Sequence, residues 1–279
     1  MAAWLPIGDE ADKDAALSQY GVVNMAGFSL GILGYGHFGS FLHKLAERFL
    51  PDVSVRLYRR RATPGDGLFT TLEDALDCDA LLLCMPISAY ADTLLSIRDR
   101  LRPDTILIDV ATVKGYTGQL IRDLVPNQPY ICTHPMFGPE SYAKKAGNVS
   151  GFRIVITESN LGPDLDQPFR ERLRQEGFVV VEKTADTHDR ELAETLFLTH
   201  YIGQIISHSG FERTEIDTVS FGFLMDAVDS VRHDMQLFEE VCRFNPYCQD
   251  VVRRFDISEQ SIRQRLLNLD PIPQTGNSA

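Results

Sequence analysis

The sequence predicts an α/β fold: a doubly wound parallel sheet followed by an all-helical C-terminal domain. Three observations carry this. Short apolar runs alternate with helical stretches from about residue 28 to residue 184, the order of a parallel sheet with crossover helices. The first run feeds directly into a Gly-x-Gly-x-x-Gly turn at Gly34, Gly36 and Gly39. From Asp186 onward the strand signals stop and long helical periodicities take over.

The elements follow in order. Residues 28–33 read as a buried strand and residues 41–50 as a helix, with the glycine turn between them. Gly34 is expected to make the tight turn, Gly36 to let backbone approach a pyrophosphate, and Gly39 to let helix and strand pack closely. The helix N-terminus then offers free N–H groups and positive dipole to phosphates. This is the opening of a Rossmann-type unit, with Gly34, Tyr35, Gly36, Phe38 and Gly39 as cofactor-binding candidates; an ordinary glycine turn is the alternative. Residues 53–58 alternate as a second strand, and Arg59, Arg60 and Arg61 follow where the adenosine ribose of a dinucleotide is expected. No acid occurs between Val53 and Pro64 to hold a ribose 2′-hydroxyl. Guanidinium groups bind a 2′-phosphate through charge-assisted hydrogen bonds, so Arg59 and Arg60 favour NADP; a solvated basic loop is the competing reading.

Residues 72–76 form a short helix, and 80–85 a buried strand ending at Pro86, a further cofactor contact. A helix over 89–101 and a strand over 105–110 lead to Thr112 and Lys114, at a carboxyl end where such sheets place their chemistry. A short strand from Tyr130 delivers His134 into the same crevice, and Pro135, Gly138 and Pro139 fix the loop after it. His134 is the best general-base candidate, because imidazole titrates near neutral pH, although a lone histidine is often structural. Strands at 151–156 and 178–181 flank a polar helix near 164–176. Helices follow at 188–209, capped by Asp186 or Thr187, at about 217–242 and at 246–268. The domain plan is an extension (1–27), a dinucleotide-binding domain (28–184), a helical domain (185–270) and a disordered tail (271–279).

Composition bounds the function. With 27 basic against 39 acidic residues the net charge is −12, which argues against a nucleic-acid or anionic-membrane partner. Five cysteines, at 78, 84, 132, 242 and 248, lack CxxC spacing and suit a reducing compartment rather than disulfides or zinc. His188, His200 and His208 lack metal-ligand spacing, so no metal is expected. The N-terminus lacks the features of a secretory or transit peptide, and no apolar run reaches the ~18 residues of a membrane span, so a cytoplasmic location is expected.

At Thr133-His134-Pro135-Met136-Phe137-Gly138-Pro139-Glu140-Ser141 the chain resembles the prephenate/arogenate dehydrogenases of tyrosine biosynthesis, particularly the plant-type branch. The glycine turn, Asp109-Val110-Ala111-Thr112-Val113-Lys114, His188-Asp189, Thr199-His200, Ile216-Asp217-Thr218 and Phe244-Asn245-Pro246 match in family order. The resemblance implies oxidative decarboxylation of a small-molecule cyclohexadienol, with hydride passing to the nicotinamide, in a homodimer joined by the helical domain. It gives His134 the proton of the ring hydroxyl and Thr112 a place beside nicotinamide and substrate, where many members carry Ser. Thr133 and His200 become substrate contacts, and Leu196 stands where plant relatives carry Gln. Asp217 matches the position bearing Asp in arogenate-preferring and Asn in prephenate-preferring enzymes. A carboxylate there attracts the ammonium of arogenate and repels the keto-acid of prephenate; capping of the next helix is the plainer alternative. The sequence reading is therefore arogenate dehydrogenase, with prephenate dehydrogenase, another reductase of similar architecture, or a non-catalytic NADP(H) sensor as rivals.

Overall fold

A computed structural model describes residues 27–62 and 67–269. The expected extension at the N-terminus, apart from its last residue, and the expected tail lie outside the described residues. Seven strands form one sheet in the order β2-β1-β3-β4-β5-β6-β7. They are β1 (Ser29–Leu33), β2 (Ser54–Tyr58), β3 (Ala80–Leu83), β4 (Ile106–Asp109), β5 (Tyr130–Pro135), β6 (Arg153–Ser159) and β7 (Val179–Glu182). The first five run parallel, and the winding reverses between β1 and β3. That reversal opens a crevice beyond their carboxyl ends, where α/β sheets bind ligands.

Sheet-covering helices are α1 (His37–Phe49), α2 (Leu72–Leu76), α3 (Tyr90–Ile97), α4 (Lys114–Leu124), α5 (Pro139–Lys144) and α6 (Pro163–Gln175). Thr71 opens α2 with a capping box, its hydroxyl accepting from Asp74 N–H while the Asp74 carboxylate reaches back. Two of these helices, α4 and α5, go beyond the sequence reading. Glycines at 115 and 118 weaken the helix signal of α4, and α5 is a short turn inside a loop bounded by prolines.

One departure concerns the sheet. Strand β6 pairs antiparallel with β5, Pro135 lying opposite Ile154, while β7 pairs parallel with β6. The connection from β5 starts and ends at the same end of the two neighbouring strands, so it needs no crossover to the opposite end of the sheet. All six residues of β5 are buried, which fixes His134 between two strands.

The C-terminal part is helical. A single long run comprises α7 (Ala185–Leu192), a π turn over Ala193–Phe197 and α8 (Leu198–His208). It is capped by Thr184, whose side chain accepts from Thr187 N–H, rather than by Asp186 or Thr187. The stretch expected as one helix over 217–242 is two, α9 (Val219–Val231) and α10 (Met235–Phe244). Gln204 Nε2 donates to Val231 O at 2.9 Å and satisfies a carbonyl at the break, a long-range partner that local periodicity cannot reveal. Helix α11 (Cys248–Leu267) completes the chain. One apolar cluster joins Leu81, Leu107 and Ile121 beneath the sheet to Leu192, Phe197, Val241 and Val251 of these helices. Among the described residues, no helix is long and apolar enough to cross a membrane.

Candidate active site

The glycine turn closes the crevice at its floor. Gly34 has φ +104°, and a Cβ there would lie 2.6 Å from Cys84 O. A Cβ on Gly39 would lie 2.2 Å from Gly34 O, whereas one on Gly36 would meet nothing within 4 Å. Two glycines are thus required by the protein's own packing, and the third faces open space at the start of α1. That is the cradle a pyrophosphate needs, backbone N–H groups with no side chain in the way. Tyr35 packs edge-on against Phe69 at 5.1 Å, and the Arg59 guanidinium lies 4.4 Å over the same ring. Phe69 escaped the sequence reading because it follows strand β2 by a loop and belongs to no motif. Phe38 packs toward Phe41 and the α1 core, Arg60 is exposed, and Pro86 precedes the turn that begins α3.

At the carboxyl ends of β4 and β5 lies a buried polar network. Lys114 Nζ, fully buried, donates to Asp109 Oδ2 and to Thr133 O, both at 2.6 Å. Thr117 Oγ1 donates to Asp109 Oδ2 at 2.7 Å, Ala111 N–H to Oδ1 at 2.8 Å, and Tyr90 OH lies 2.7 Å from Oδ1. Burial, then the Asp109 charge, pushes the Tyr90 hydroxyl well above the usual phenol range, so it remains a donor. Thr133, expected at the substrate, has its hydroxyl donating to Asp109 O at 2.9 Å inside the β4–β5 seam. Thr112 is half-buried and its hydroxyl has no hydrogen-bond partner among the described residues.

His134 has an unexpected neighbour. Its Nδ1 lies 2.9 Å from Nε2 of His188, and Nδ1 of His188 lies 2.8 Å from Asp189 Oδ1. All three residues are buried. Asp189 is in turn held by the start of α4, accepting Lys114 N–H at 2.9 Å and Gly115 N–H at 2.8 Å. Asn245 Nδ2 donates to Asp189 O at 2.7 Å. A carboxylate only accepts, so His188 presents Nδ1–H to Asp189; a neutral His188 then accepts at Nε2 from Nδ1–H of His134. The remaining nitrogen of His134, Nε2, is left with its lone pair. Burial above all, with the ammonium of Lys114 beside it, holds His134 well below the usual imidazole range, so it rests neutral and able to take a proton.

His200 lies twelve residues further along the long helical run, about 18 Å by helix rise. It is buried, its Nδ1 has no hydrogen-bond partner among the described residues, and burial lowers its pKa. An orphaned buried imidazole nitrogen suits a polar ligand. Asp217 is placed differently. Its Oδ1 accepts from Thr214 N–H at 2.9 Å and Thr214 Oγ1 at 3.0 Å, while Thr218 caps α9. Gly203 packs against Val228 and Val231, so α8 and α9 form a hairpin whose tip carries Asp217. Helix rise alone separates His188 from His208, just before that tip, by about 30 Å. Asp217 is therefore remote from His134 of its own chain. Lys145 donates to Ser150 O at 2.8 Å and Arg232 pairs with Asp229 at 2.6 Å.

Comparison with known proteins places these motifs in context. Residues 63–157 match the nucleotide-binding domain of prephenate dehydrogenase. The chain is 30% identical over 251 residues to arogenate dehydrogenase 2, chloroplastic, of Arabidopsis thaliana, covering 85% of this chain and 69% of that protein. It is 27% identical to cyclohexadienyl dehydrogenase of Zymomonas mobilis, covering 86% and 89%. In three dimensions it is similar to prephenate dehydrogenase from Aquifex aeolicus, crystallised with hydroxyphenyl propionate and NAD+. The TM-score is 0.66 at 16% identity, over 86% of this chain and 91% of that one.

Proposed function

The chain belongs to the prephenate/arogenate dehydrogenase family, and from that premise we propose that it converts arogenate to tyrosine by NADP-dependent oxidative decarboxylation. The observation that carries this reading is the neutral His134, whose Nε2 keeps a free lone pair at the carboxyl end of β5. Its role is to take the proton of the ring hydroxyl as that carbon becomes a carbonyl. When bound, the nicotinamide supplies the hydride acceptor; Gly34, Gly36 and Gly39 fit its pyrophosphate, and Arg59 and Arg60 are the proposed partners of a 2′-phosphate. Thr112 is assigned to the nicotinamide and ring region. Loss of the ring carboxylate as carbon dioxide aromatises the product and makes the step effectively irreversible.

Asp217 is the proposed reader of the substrate ammonium, and its position requires a second copy of the chain. It lies beyond His208, the end of the helix that starts near His188 and rises about 30 Å to that point, on a tip where Phe211, Ile216, Val219 and Phe223 are exposed. Ile216, flanking Asp217, is 89% exposed, an apolar surface that a partner would cover. In the homodimer proposed here, the tip of one protomer reaches the partner's cleft and delivers Asp217 beside the side chain of the bound substrate.

Initial rates of NADP+ and NAD+ reduction with arogenate and prephenate side by side test the proposal. Preference for arogenate that declines in Asp217→Asn supports both the reaction and the reader. Preference for prephenate keeps His134 and removes the argument built on Asp217. Absence of turnover with both sinks the reading.

A further inference from the structure

Resting on the reading of His134 as the base, we propose that His188 and Asp189 are positioning residues of a two-histidine proton relay, in which the substrate proton is balanced by a second proton moved onto His188. The geometry is a continuous chain. His134 Nδ1 to His188 Nε2 is 2.9 Å, His188 Nδ1 to Asp189 Oδ1 is 2.8 Å, and both oxygens of Asp189 are fixed by the backbone at the start of α4. His134 and His188 are 5% and 3% exposed, so neither has bulk water as an alternative partner.

The step balances. The substrate O–H bond breaks and its proton bonds to His134 Nε2, while the carbinol C–H bond breaks and its hydride would pass to the oxidised nicotinamide of the proposed reaction. The proton on His134 Nδ1 crosses to His188 Nε2, leaving His134 neutral in its other tautomer and His188 an imidazolium. That charge rests against the Asp189 carboxylate. Confined to His134, it would be opposed by the charge of the buried Lys114 ammonium, which already lowers the His134 pKa. The charged groups next to the dyad are Lys114 from α4, paired with Asp109 of β4, and Asp189 from α7. When the ring carboxylate leaves as carbon dioxide, its bonding pair aromatises the ring and places charge on the phenolate oxygen. That oxygen takes back the proton of His134 Nε2, and His188 returns its own to Nδ1. The dyad resets within each turnover, with no net proton drawn from solvent. The acid limb of the pH profile then belongs to the pair and not to His134 alone.

The test uses wild-type enzyme, His188→Asn, Asp189→Asn and His134→Asn, each checked for folding by thermal melt and cofactor affinity. Single-turnover rates in mixtures of light and heavy water should bow downward for wild type, as two protons move together, and become linear in His188→Asn. The acid limb of kcat/KM should move to lower pH in His188→Asn, and kcat should fall about a hundredfold or more with KM little changed, by analogy with other oriented imidazole bases. Asp189→Asn should move the limb the same way. A merely structural role would lower the plateau and leave both the limb and the bowing in place, which overturns the relay. A linear wild-type plot overturns it without any variant. Full activity in His134→Asn would instead overturn the reading of the base itself.

Discussion

Gly115 and Asp189 are matched by size: Gly115 N–H donates to Asp189 Oδ2 at 2.8 Å, and a Cβ on Gly115 would lie 2.9 Å from that same oxygen. The carboxylate that orders His188 can approach the first turn of α4 only because no side chain stands there. Gly115→Ala should displace Asp189 and misalign His134, lowering kcat roughly tenfold to a hundredfold. Steady-state kinetics beside a thermal melt checks this; an unaltered kcat would separate Asp189 from the chemistry.

The three glycines of the opening turn should respond differently to alanine. Gly36→Ala puts its methyl into open space, so the melt should stay within a few degrees of wild type while cofactor affinity drops about tenfold or more. Gly39→Ala drives a methyl to 2.2 Å from Gly34 O and should destabilise the fold itself. Fluorescence titration with NADPH and thermal denaturation on the same preparations distinguish the two.

Lys114→Met is expected to cost about 3–5 kcal/mol of stability, because it leaves the buried Asp109 carboxylate without its cation. It also removes the donor to Thr133 O, one residue before His134. Urea unfolding monitored by circular dichroism gives the number. A loss under about 1 kcal/mol would place the pair in the range of exposed ion pairs and contradict its complete burial.

Stability should fall on mild acidification. Burial lowers the pKa of His134 and His200 in the folded state, whereas in the unfolded chain both titrate near the usual ~6.5. Below that pH the unfolded state binds more protons, so the contribution is complete above about 6.5 and is lost as pH falls toward the folded values. Each histidine contributes up to ~1.4 kcal/mol per pH unit in that window. Unfolding free energies at pH 7 and 5 should therefore diverge less in His134→Asn than in wild type.

Local chemistry made the sheet legible in the sequence. Strand β1, the glycine turn and α1 are contiguous, and their apolar spacing and glycines state their geometry without reference to the rest of the chain. His134 was readable because a strand end in such a sheet opens into the crevice. Its partner was not, since 54 residues separate His134 from His188. The sequence marks Asp189 only as part of the His188-Asp189 motif, whereas the structure gives its carboxylate to the start of α4. Thr133 shows the converse: the motif assigns it to the substrate, whereas its hydroxyl donates to Asp109 O in the β4–β5 seam. The antiparallel entry of β6 and the division between α9 and α10 depend on return paths and long-range partners that local periodicity does not encode.

The π turn at Ala193–Phe197 sets the aim of everything after it on the long helix. Each helical residue turns the chain by about 100°, so the extra residue held in a widened turn rotates all later side chains by that amount relative to an unbroken α-helix. Leu196 falls within the turn and His200 just beyond it. Excision of one residue here would let the helix relax to regular pitch and swing His200 about a quarter-turn around the axis, with His188 upstream undisturbed. Length variation at this single spot would thus turn the face that carries His200 while leaving the His134–His188 contact in place.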